Sequence, residues 1–132
     1  MEKQKTGEKG MAAIEKQMQQ NSGQLRQATE KKHQIQQALA KQERLEQDVF
    51  ELNGQNRKLF NRLLYSWHKD RNLGNWLEQE LMVIRDHERQ MAYRLEKKKE
   101  ELLQERQQLS DLENTLYDQH RSLASREKEG EK

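Results

Sequence analysis

An apolar residue recurs at alternating four- and three-residue steps from Leu77 to Leu123, in a chain of 132 residues with 0 Pro. Between those ends the repeat visits Leu81, Ile84, Glu88, Met91, Leu95, Lys98, Leu102, Glu105, Leu109, Leu112, Leu116 and Gln119, and ten of the fourteen positions are apolar. This spacing puts the apolar side chains on one stripe of an α-helix, and without proline nothing forces that helix to break. At ~1.5 Å per residue, a stretch of roughly 50 residues makes a rod about 75 Å long.

A second repeat precedes it. Ile14, Met18, Asn21, Leu25, Ala28, Lys32, Ile35, Leu39 and Gln42 follow the same spacing, with six of the nine apolar. The next apolar residue, Leu45, is another three-residue step, which predicts a local phase slip of the stammer type. The pattern then resumes at Val49, Leu52, Asn56, Leu59 and Leu63. Asn53-Gly54 lies inside this stretch, and a helical Gly costs about 1 kcal/mol against Ala. The repeat passes through in register, so the expectation is a continuous helix with a kink or soft spot there.

The strongest turn chemistry is Asn72-Leu73-Gly74-Asn75. Gly74 can take the left-handed conformation that ends a helix, and Asn75 can cap the next one, with Glu78 completing a variant capping box. The predicted order is a polar tail at 1–10, a helix at 11–71, a turn at 72–75, a helix at 76–125 and a polar tail at 127–132 that frays. Helices joined by a short turn fold back on each other. The expected fold is all-α: a long antiparallel helical hairpin, coiled-coil-like.

Composition limits what such a hairpin can do. Hydrophobic residues are 31% and charged residues 36%, with 18 Gln besides and a mean hydropathy of −1.40, so a thick globular core is not expected. The 0 Cys exclude disulfides and thiol chemistry. The net charge is +2 with the signs interspersed, and the one basic triplet, Lys97-Lys98-Lys99, is followed at once by Glu100-Glu101. Nucleic-acid binders concentrate positive charge on one face, so no nucleic-acid partner is expected. The longest apolar run, Leu81 to Ile84, is far short of the ~20 residues of a membrane span, and residues 1–10 do not resemble a signal peptide. No membrane insertion is expected.

No reaction chemistry stands out. His33, His68, His87 and His120 are scattered, with none three or four residues from another, so no metal site is expected. Neither a phosphate-binding Gly loop nor a nucleophile–base frame is present, and the carboxylates lie on wet helical faces. The expectation is a non-enzymatic protein without cofactors.

The stripes instead point to protein contacts. Asn21, Lys32, Gln42 and Asn56 interrupt the first, and Glu88, Lys98 and Glu105 the second. Phe50, Phe60, Leu64, Met82, Val83 and Leu103 lie beside them. So thin a seam leaves apolar surface for another helical chain, either a second copy or a partner. Four of the seven aromatic residues crowd the expected turn: Phe60, Tyr65, Trp67 and Trp76. They serve either to staple the hairpin tip or to dock a partner, since Trp and Tyr dominate interface hot spots. The candidate partner contacts are Phe60, Leu64, Trp67, Trp76, Met82 and Met91.

From Leu59 to Leu123 the chain carries Leu59-Phe60-x-x-Leu63-x-x-Ser66-Trp67-x-x-Asp70, then Glu100-Glu101-Leu102, then Leu109-Ser110-Asp111-x-Glu113-x-x-Leu116-Tyr117-x-x-x-Arg121-x-Leu123. This half of the chain resembles the small helical accessory proteins of Gram-positive type VII (Esx) secretion systems, which are encoded beside LXG toxins and are similar in size to the WXG proteins. The resemblance implies an adaptor or targeting chaperone. With another small helical protein it would bind the helical N-terminal domain of an LXG toxin and present it for export. A cytoplasmic location is expected, and whether the chain is co-secreted with its client stays open. Trp67-His68-Lys69 lacks the Gly of a Trp-x-Gly turn, and Tyr117 is followed four residues on by Arg121 rather than by an acid, so the export signal is expected from the partner. Two alternatives come from other classes: the coiled-coil stalk of a type III or flagellar export ATPase, and a self-assembling structural coiled coil, which would be a homo-oligomer.

Overall fold

The computed structural model describes residues 2–130, with side-chain surroundings from residue 10 onward. It is an all-α helical hairpin of two helices, α1 (Glu2–Ser66) and α2 (Arg71–Gly130). Both run further than the polar ends of the sequence suggest. Residues 2–10 and 127–130, expected as tails, are helical, because their Lys, Glu and Gln are good helix formers and no Pro stops them. The parts of those tails at 1 and 131–132 lie outside the described residues. Gly54 is inside continuous helix, as expected.

The reversal lies at residues 67–70, not at 72–75. Two side chains, rather than a glycine, make it. The Asp70 carboxylate accepts from the Leu73 N–H at 3.2 Å, and its own carbonyl accepts the first bond of α2 from the Gly74 N–H at 2.8 Å. Asp70 is therefore the N-cap. At the end of α1, His68 donates from Nδ1 to the Tyr65 carbonyl at 2.6 Å, occupying an otherwise orphan acceptor. The Asp70 N–H closes the turn on the Trp67 carbonyl at 3.1 Å. No described residue has a positive φ. Asn72, Gly74 and Asn75 form the opening of α2, and the open space around Gly74 asks nothing of a glycine.

The chain divides into two compact units, one drawn from 1–37 and 103–132 and the other spanning Ala38–Leu102. In the first, Ala28, Ile35, Leu116 and Leu123 are buried, and polar residues cross-link the helices between them. Buried Asn21 donates from Nδ2 to the Leu116 carbonyl at 2.9 Å. Lys32 Nζ sits 3.0 Å from Glu113 Oε1, and the Thr29 hydroxyl lies 3.2 Å from Glu113 Oε2. Glu113 thus takes the place expected of Leu112, which is exposed, and half-buried His120 takes that of Gln119. A straight α-helix drifts ~20° per heptad against a strict seven-residue repeat. Over the five heptads from Leu77 to Leu112 that amounts to about one residue, and the inward position has moved on by one at Glu113 and His120 while Leu109, Leu116 and Leu123 keep theirs.

In the second unit, Leu77, Leu102 and Gln42 are buried, and Leu81, Ile84, Leu95, Val49, Phe60 and Leu63 are half-buried. The expected slip at Leu45 does not occur. The inward face of α1 continues through Gln42, Glu46, Val49, Asn53, Asn56, Phe60 and Leu63, leaving Leu45, Leu52 and Leu59 exposed. A three-residue step would have turned the rest of the helix by about 100°. Two cross-links on either side of Val49 and Asn53 hold it instead. Gln42 Nε2 donates to the Leu95 carbonyl at 2.9 Å, and Arg57 pairs with Glu88 at 3.1 Å. On α2 the expected seam positions Met91 and Lys98, like Glu105 in the other unit, are exposed.

Candidate partner-binding surface

All six candidate contact residues fall in the unit that contains the turn. Phe60 and Leu64 are half-buried on α1 and contribute to its packing. Trp67 begins the turn at 42% exposure, Trp76 is on the second turn of α2, and Met82 and Met91 project from α2 with Met82 70% exposed. The aromatic residues do not pack into a tip cluster. Among the described residues the one aromatic pair is Tyr65 with His68, at a ring separation of 6.0 Å, and Tyr65 is itself exposed. Trp67 and Trp76 turn substantial apolar area to solvent, where a buried aromatic would add most to an interface.

Phe50 is the most exposed large apolar side chain of α1 apart from Tyr65, at 79%. It stands at a shallow hollow of about 250 Å³ whose other walls are Glu46, Val49, Asn53, Glu88, Ala92, Leu95 and Glu96. The sequence marks Phe50 as lying beside the stripe. Leu45, Leu52 and Leu59 were concealed, because a stammer would have placed them in the seam. In the other unit a hollow of about 340 Å³ is lined by Gln17, Gln20, Asn21, Gln24, Gln119, Ser122, Leu123 and Arg126. The Asn21 Oδ1 atom, which is buried, has no hydrogen-bond partner there. Among the described residues no group of three or more His, Cys, Asp or Glu is placed to hold a metal ion, and no helix is long and apolar enough to cross a membrane.

Two long helices joined by a side-chain-capped turn, with a narrow seam between them, define an all-α hairpin that leaves large apolar side chains exposed. Residues 11–123 match the family model described as protein of unknown function (DUF3958), and the chain belongs to that family. Neither a curated protein nor a solved structure matches it.

Proposed function

We propose that this hairpin is a non-enzymatic adaptor that acts in the cytoplasm and binds the helical N-terminal domain of a type VII secreted, LXG-type toxin together with a second small helical protein. The observation that carries this reading is the exposure of Trp67, Trp76, Met82 and Met91, which lie around and beyond the turn on more than one side of α2. The sequence resemblance to the type VII accessory proteins supplies the class of client. Helix-on-helix packing is the mechanism: apolar side chains left wet by the two-helix seam enter grooves of a client helix and complete a bundle.

The test is to purify the chain with an LXG-toxin N-terminal domain encoded beside it and with the neighbouring small helical protein, and to measure the mass of the complex by light scattering. A stable 1:1:1 complex is expected. Trp67→Ala should weaken it by about 2 kcal/mol, the threshold of a hot spot. No complex with either neighbour would overturn the adaptor reading, and an unchanged affinity would remove Trp67 from the interface.

A further inference from the structure

Leu45, Leu52 and Leu59 recur at seven-residue intervals on α1, each about half exposed. They form a third apolar column beside the two that face α2. A helix with a single neighbour uses a narrow two-column stripe, whereas three columns suit a helix with a second neighbour. The charges beside this column have an order of their own. Asp48 and Glu51 form an acidic doublet at i, i+3, and Lys58 and Arg62 a basic doublet at i, i+4, all four exposed and none in an ion pair with another described residue. Like charges at these spacings repel within one helix. The midpoint between the two doublets and that of the Leu52–Leu59 pair both lie within a residue of Gln55.

We propose that this face of α1 is a self-association surface, its occupant the same face of a second copy packed antiparallel about a two-fold axis at Gln55. That arrangement sets Leu52 of each copy against Leu59 of the other. It also sets each acidic doublet against the other copy's basic doublet, so the contact is made twice, as an isologous interface requires. A parallel arrangement in register sets like doublets together and is disfavoured by the same charges. Three leucines per copy are a small patch, so the dimer is a weak one that forms at high protein concentration and loosens with salt. The surface is separate from the turn residues proposed to meet the client.

The experiment is sedimentation equilibrium of the full chain alone, over a wide concentration range. The mass is expected to rise toward twice that of the monomer. Asp48→Lys with Glu51→Lys should weaken association at least tenfold, as should Lys58→Glu with Arg62→Glu. The four changes combined should restore it, because the doublets are then exchanged rather than matched. Circular dichroism on each variant checks that the helices persist, as expected for exposed positions. A chain that stays monomeric throughout, or a dimer that ignores the reversals or is not rescued by their combination, overturns the proposal. Since the chain is tested alone, failure here is distinct from failure to bind a toxin domain.

Discussion

Truncating Leu77 and Leu52 to Ala removes the same atoms from the same unit, yet the two substitutions should differ sharply. Leu77 is 2% exposed and Leu52 55%. Withdrawing a whole leucine side chain from water is worth about 1.5–3 kcal/mol. Deleting it from a packed site adds a cavity term, which brings Leu→Ala to about 2–5 kcal/mol. A two-helix seam has solvent on both flanks and closes partly over a gap, so the lower half of that range, about 2–3 kcal/mol, is expected for Leu77→Ala. Leu52 has little more than 40% of its surface to lose, no enclosing wall to leave empty, and a replacement with the best helix propensity. Leu52→Ala should therefore cost less than about 1 kcal/mol. Urea unfolding followed by circular dichroism at 222 nm measures both, at protein concentrations low enough to keep the chain monomeric. In a thermal melt the gap should appear as a midpoint roughly 5–10 °C lower for Leu77→Ala. Equal costs would refute the register of α1, since the slipped alternative buries Leu52.

Asp70→Ala should cost about 1 kcal/mol by removing the N-cap of α2, while Asn75→Ala, inside the helix, should be neutral or slightly stabilising; the reverse order in thermal melts would return the turn to 72–75. Asn21→Leu removes a buried amide whose Oδ1 has no partner and should raise the melting temperature by the equivalent of about 1–2 kcal/mol; a lower one would mean that the Asn21–Leu116 bond outweighs that cost. Lys32→Ala leaves the mostly buried Glu113 carboxylate without its cation and should destabilise by about 1–3 kcal/mol, whereas an unchanged urea midpoint would show that water replaces the lysine.

The seam's polar residues bear on more than stability. Asn21, Gln42 and Lys32 read in the sequence as defects in an apolar stripe, and Arg57 lies beside it. Folded, each finds a partner on α2: two backbone carbonyls and two glutamates. A leucine seam slides by a heptad at little cost, but a buried amide or ammonium displaced by a heptad loses its partner. We therefore expect these residues to specify the pairing of the helices more than its strength. Replacing Asn21 and Gln42 by Leu, together with both members of the Lys32–Glu113 and Arg57–Glu88 pairs, should raise the melting temperature while broadening the set of cross-links that cysteine pairs across the helices can form.

Helix content and the hairpin itself were legible in the sequence. Both follow from interactions within a few residues: an apolar residue every three or four positions, good helix formers between them, and no proline. The buried set Ala28, Ile35, Leu77, Leu102, Leu116 and Leu123 lay on the predicted stripes for the same reason. What tertiary structure decided is which residues occupy the stripe where the sequence offers two choices one position apart. Leu45, Leu52 and Leu59 are more apolar than Glu46 and Asn53, yet the Gln42–Leu95 and Arg57–Glu88 links hold α1 with the leucines outward. Glu113 displaces Leu112 because Lys32 and Thr29 stand opposite it and helical drift has turned α2 by about one residue. The turn moved from Gly74 to Asp70 because side-chain caps at both helix ends made a left-handed residue unnecessary. Local chemistry determined that there would be two helices and roughly where each would run. Their rotation about their own axes, and with it the surface left for other chains, depends on pairings between residues far apart in sequence, which no local pattern contains.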